Sequence, residues 1–209
     1  MVAEVGHILL ILAFSLSCFQ LVASVKVSIS ENYEIYINLY RKIMLIISFF
    51  LLVSFVILIY SYAQSDFSIL NVFNNSHTNK PLIYKISGTW GNHEGSLSMW
   101  LAILGLYGGL HTFLSKKLPS KISNYLILTV AIIYIGFIGF TLFTSNPFIR
   151  SFPIPLEGNG LNPVLQDPGL AFHPPLLYMG YVGLTIPFSY AVAALLAGKV
   201  DYLWAKWVR

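Results

Sequence analysis

The apolar residues of this 209-residue chain fall in blocks of about 20, and that block length constrains the fold more than any other feature. At about 1.5 Å per helical residue, one block crosses a hydrocarbon core of roughly 30 Å, and soluble cores are not built from such long uninterrupted runs. Five spans are expected, at residues 5–25, 43–62, 96–114, 125–144 and 174–197. With 56% hydrophobic and only 10% charged residues, the fold class is all-α, a polytopic membrane bundle. The whole chain, 1–209, reads as a single membrane domain with two long connections, 63–95 and 145–173.

The first block is not a cleaved leader, because its short flank carries Glu4 and no Lys or Arg. Cys18 is the single cysteine, so an internal disulfide or a cysteine metal cluster is excluded. Of the 12 basic residues, nine share one side: Lys26, Arg41, Lys42, Lys116, Lys117, Lys121, Lys199, Lys206 and Arg209. Lys80, Lys85 and Arg150 fall in the two long connections. The positive-inside rule then puts those connections, and the N-terminus, outside. No span carries Lys, Arg, Asp or Glu near its centre, which argues against a proton pump or small transporter. The basic residues track membrane orientation rather than forming an outward patch with interleaved aromatics, so nucleic acid is not an expected partner.

Two outer strings carry the chemistry. In Gln166-Asp167-Pro168-Gly169-Leu170-Ala171-Phe172-His173-Pro174-Pro175-Leu176-Leu177-Tyr178, Pro168-Gly169 suits a tight turn. Pro174-Pro175 suits the first turn of a helix, which puts His173 at the cap position. Among apolar neighbours an imidazole held there is placed either to ligate heme iron or simply to cap the helix or hydrogen-bond a neighbour. In Trp90-Gly91-Asn92-His93-Glu94-Gly95-Ser96, Trp90 has the character of an interfacial anchor and Glu94 suits a helix N-terminus. Ser96 is a candidate cap. His93 has three open roles: ligand, proton-transfer group, or partner of Glu94. The polar stretch from Asp66 to Lys80, including His77, reads as a solvated loop. Gly105, Gly108, Gly109, Gly136 and Gly139 read as points of close helix approach.

Together these strings resemble the CcmF family of cytochrome c maturation proteins, in order and about in spacing. The resemblance extends from Glu4-Val5-Gly6-His7 to Trp204-Ala205-Lys206-Trp207. It implies a subunit of a membrane heme lyase, inactive alone, which helps attach heme to apocytochrome c. It implies His173 as an outward heme ligand, with Trp90, Gly91, His93, Glu94, Gly95, Pro174, Pro175 and Tyr178 as supporting motif residues. The implied partners are the remaining CcmF portion, the heme chaperone CcmE, a CcmH-type subunit that holds apocytochrome, apocytochrome c itself and membrane lipid. The family's tryptophan-rich segment, second outward histidine and two membrane histidines do not occur in this sequence, so heme would be shared with a partner chain. A split gene is the expected cause, with truncation as the alternative. The expected location is a mitochondrial or bacterial inner membrane, and a non-catalytic membrane scaffold is the competing reading.

Overall fold

The computed structural model describes residues 2–115, 118–200 and 202–208. Lys116, Lys117 and Arg209, counted above among the basic residues of one side, lie outside the described residues. The described elements are helical, apart from one isolated antiparallel bridge between Ile69 and Arg150. Five stretches are long and apolar enough to cross a membrane: helices α1 (Val2–Ser30), α2 (Tyr33–Ala63), α5 (His93–Leu114) and α6 (Ser120–Thr144), and the stretch Ala171–Ala197. The last runs through α7 (Pro168–Gly183) and α8 (Thr185–Ala197). Two short helices, α3 (Leu70–Asn75) and α4 (Leu82–Gly88), occupy the first long connection, and α9 (Tyr202–Val208) follows α8.

The first hairpin is built on a strict alternation of three- and four-residue steps. Helix α1 buries Ala3, Gly6, Leu10, Ala13, Ser17, Gln20, Ser24 and Val27. Helix α2 buries Ile37, Tyr40, Met44, Ile47, Leu51, Ser54, Leu58 and Ser61 in the same rhythm. A repeat of about 3.5 residues keeps one stripe on its partner, and small residues on that stripe let the backbones come close. Ser54 Oγ donates to the Gly6 carbonyl at 3.0 Å across this contact. Helix α1 packs on α2 and α6, and α2 also packs on α5. Gly105 and Gly108 act as the sequence predicts, since a Cβ would lie 3.1 Å from the Ser48 carbonyl oxygen and 2.2 Å from the Tyr134 hydroxyl. Gly136 differs, as nothing lies within 4 Å of its Cβ direction.

The fifth span is broken. Pro187 has no N–H to offer the Gly183 carbonyl four residues earlier, and the helix interrupts at Leu184 before resuming as α8. Helix α8 ends on Gly198, whose φ of +66° is the left-handed cap that glycine adopts without strain.

The two long connections fold together into one cap. Leu70 N–H donates to the Ile149 carbonyl at 2.8 Å, and Asn159 N–H to the Phe73 carbonyl at 2.8 Å. A Cβ on Gly158 would lie 2.1 Å from the Ser76 carbonyl oxygen, so this approach requires glycine. The stretch from Asp66 to Lys80 is therefore solvated only in part: α3 buries Asn71 and Val72, and Ser76 is fully buried, whereas Asn74, Thr78 and Asn79 are exposed. Asn71 and Asn75 serve internal hydrogen bonds that a composition count reads as solvation. At the opposite end, Arg41 donates to the Ser115 carbonyl at 3.0 Å, and Asn124 donates to Ser24 and Ser28.

Candidate functional site

Asn92 organises the first motif. Its backbone is extended, and its side-chain oxygen accepts the Gly95 N–H at 2.8 Å, capping α5. The helix thus starts three residues before the expected span, and the cap is Asn92 rather than Ser96. The Ser96 hydroxyl instead donates to the Trp90 carbonyl at 2.8 Å, tightening the turn that precedes the helix. A Cβ at Gly95 would stand 1.5 Å from the Thr89 carbonyl oxygen, so no other residue fits there.

The amide of Asn92 also joins a closed polar cycle. It donates to the buried Tyr62 hydroxyl at 2.9 Å, that hydroxyl donates to the Asn71 side-chain oxygen at 2.5 Å, and the Asn71 amide returns to Asn92 at 2.8 Å. Every member is both donor and acceptor, the condition under which a buried polar network rigidifies its surroundings. Asn71 also donates to the Glu94 carboxylate at 3.3 Å. Glu94 lies in the first turn of α5, as the sequence predicts, and faces a polar cavity of about 60 Å³ shared with Asn71, Asn74, Asn75 and Asn146. His93 points elsewhere: it is exposed, its ring meets Phe140 edge-on at 6.2 Å, and it makes no hydrogen bond to Glu94.

The second motif begins earlier than expected. Pro168 is the first residue of α7, and Asp167 accepts the Gly169 N–H at 2.8 Å through its side chain. Pro168-Gly169 is thus a helix start rather than a free turn, and His173 lies inside the helix rather than at its cap. Pro174 and Pro175 are also internal, an arrangement that normally costs about 3 kcal/mol through lost hydrogen bonds and clash. Pro175 leaves the Ala171 carbonyl without its helical donor, and the Trp90 indole N–H supplies one at 3.0 Å. Trp90 is therefore the tie between the two motifs.

Further along α7, the Tyr107 hydroxyl donates to the Met179 carbonyl at 2.8 Å. Trp100 gathers Phe137, Tyr178 and Tyr181, with ring centroids 4.8, 5.6 and 5.1 Å away. Tyr178 thus serves to seat α7 on α5. The opposite face is open. His173, Leu176, Leu177 and Gly180 follow the spacing that places residues on one helical stripe, and all four are exposed. Leu176 is 68% and the adjoining Phe172 61% exposed, and a Cβ on Gly180 would meet nothing within 4 Å. The His173 imidazole makes no hydrogen bond in the described structure.

An unpartnered imidazole on an apolar stripe suits an axial ligand to a flat, largely apolar macrocycle, so the residues present fit heme. Sequence reasoning passed over Tyr62, Asn71 and the capping role of Asn92. An Asn just before an apolar helix is a start signal and was legible, but the contact of Tyr62 with Asn71 needed the fold.

The family described as cytochrome c assembly protein matches residues 90–208. The chain is 46% identical over its full length to the cytochrome c-type biogenesis protein CycK of Bradyrhizobium diazoefficiens, of which it covers 32%. It is 43% identical over 75% of its length to the cytochrome c-type biogenesis protein CcmF of Escherichia coli K12, of which it covers 24%. The chain therefore spans a third or less of these relatives. A solved structure named cytochrome c heme lyase CcmF shares the fold, with a TM-score of 0.85 over the whole chain and 32% of the other, at 24% identity.

Proposed function

Because this chain belongs to the cytochrome c assembly protein family, we propose that it contributes to cytochrome c maturation as one part of a membrane heme lyase. The observation that carries this reading is the exposed, unpartnered His173 on the open stripe of α7. In this reading His173 would hold the heme iron through its imidazole, and Phe172, Leu176 and Leu177 would offer apolar cover to the ring. Gly180 leaves room on the same stripe. Trp90 is a positioning residue, because it fixes the turn of α7 that carries the histidine. Heme, when bound, supplies the vinyl groups that form thioethers with the apocytochrome cysteines.

The second axial ligand and the tryptophan-rich segment would come from the rest of the assembly. CcmE would deliver heme, and a CcmH-type subunit would hold the apocytochrome. The excess of Lys and Arg at the opposite end supports a topology in which both motifs and the N-terminus face the periplasm or the intermembrane space.

The test is heme absorbance of the chain co-purified with its partner segment, wild type against His173→Ala, with cytochrome c assembly scored in parallel. Loss of the heme signal and of assembly, with the complex still intact, is the expected result. Unchanged heme and assembly would sink the ligand role and leave the chain as a scaffold.

A further inference from the structure

At the end of the bundle away from the motifs, α2 and α5 open into a groove of about 590 Å³ lined by Asn38, Arg41, Lys42, Leu45, Thr112 and Phe113. The first four follow i, i+3, i+4, i+7 spacing and share one stripe of α2, while Thr112 and Phe113 belong to the last turn of α5. The groove combines two kinds of lining. Toward the start of α2 it presents an amide and two cations, farther along α2 it presents Leu45, 40% exposed, and the last turn of α5 adds Phe113, 63% exposed.

The depth of that change matches a membrane boundary. From Ile43 to Tyr62, α2 runs apolar for a length that covers a hydrocarbon core of roughly 30 Å, so Arg41 and Lys42 stand at headgroup level just beyond it. Arg41 is held in place by its bonds to the Ser115 carbonyl at 3.0 Å and the Ser123 hydroxyl at 3.1 Å. Lys42 is exposed and makes no ion pair among the described residues. Glu34, two turns earlier on the same side of α2, does not line the groove.

We propose that this groove is a binding site for an anionic phospholipid of the adjoining leaflet. Arg41 and Lys42 meet the headgroup phosphate, Asn38 hydrogen-bonds the polar glycerol region, and an acyl chain lies along Leu45 and Phe113. The apolar lower wall favours a lipid over a free anion, since an anion alone would use only the upper half. The fixed guanidinium distinguishes this site from a diffuse basic surface. The lipid would brace α2 against α5, and this assignment is independent of the heme reading.

The whole chain is placed in nanodiscs that mix phosphatidylglycerol with phosphatidylcholine, and retained lipid is measured after extraction. The wild type is expected to retain phosphatidylglycerol over phosphatidylcholine by about fivefold per engaged cation. Lys42→Gln should lower that preference about fivefold, whereas Lys206→Gln, on the same side but outside the groove, should leave it unchanged. Arg41→Lys keeps the charge but loses the guanidinium fixed by Ser115 and Ser123, so lipid preference should fall, whereas an unchanged preference would mean a diffuse basic surface and overturn the site. Equal retention of the two lipids, an equal loss in Lys206→Gln, or displacement of the lipid by inorganic phosphate would each overturn the proposal.

Discussion

Helices α1 and α7 are both rich in apolar residues, yet one is held along a continuous seam and the other at a few points. Helix α1 closes one continuous stripe against α2 and α6 with Ala, Gly and Ser at the contacts, while Ile8, Phe19 and Val22 on its other face are exposed. Helix α7 is seated through Trp90, Tyr107 and the Trp100 cluster, and leaves His173, Leu176, Leu177 and Gly180 uncovered. The difference lies in which residues carry the contact. Small side chains make a seam that extends along a helix, whereas aromatic donors hold a helix at a few points and leave its other face available. In a membrane protein, hydrophobicity says where a helix can be, and the distribution of small residues says whether its neighbours are already present.

The contrast is broken most severely at the point that shapes the cap. Gly95→Ala would drive a Cβ into the Thr89 carbonyl and undo the Asn92 cycle. The expected cost is about 4 kcal/mol, read as loss of folded protein in thermal denaturation. A matched pair of truncations sharpens the comparison. Leu10→Ala, at a site 2% exposed in the α1 seam, should cost about 3 kcal/mol, while Leu176→Ala should stay within about 0.5 kcal/mol in the same assay. Comparable losses at both sites would mean that α7 is as closed as α1.

Trp90→Phe removes the donor to the Ala171 carbonyl but keeps most of the ring. A loss of about 1 kcal/mol is expected, with faster amide exchange confined to the first turns of α7. The smallest effect concerns the cap. Backbone N–H groups of Thr78 and Gly158 hold the Glu157 carboxyl below its usual value of about 4.5. This clasp therefore contributes fully above about pH 4.5 and is lost only as pH falls through the depressed folded value. The Thr78 amide shift should titrate at that lower pH in the wild type and not in Glu157→Gln.

The number and type of spans were legible because block length is a one-dimensional property. The faces of those spans were not. A helix apolar all round shows no polarity contrast, and the seam of α1 is marked only by small residues and by Ser17, Gln20 and Ser24. In the candidate site, His173 and Trp90 could be picked out, but their roles were assigned from local rules. Those rules put the tandem prolines at a helix start, because proline inside a helix is disfavoured unless some other group answers the carbonyl it strands. That group lies in the other motif, and no local window contains both. The Asn-rich stretch of α3 misled for the same reason, since Asn71 finds its partners on Tyr62 and Asn92.

The bond from Trp90 to Ala171 joins residues 81 positions apart, which sets a schedule for the growing chain. At a synthesis rate of about 5–20 residues per second, its acceptor emerges some 4–16 s after its donor. The α1–α2 hairpin can zip up during that interval, since its partners are adjacent in sequence. The first motif must wait with its indole unsatisfied until the second has been made. Assembly of the cap is thus a late event that follows synthesis of the start of the fifth span.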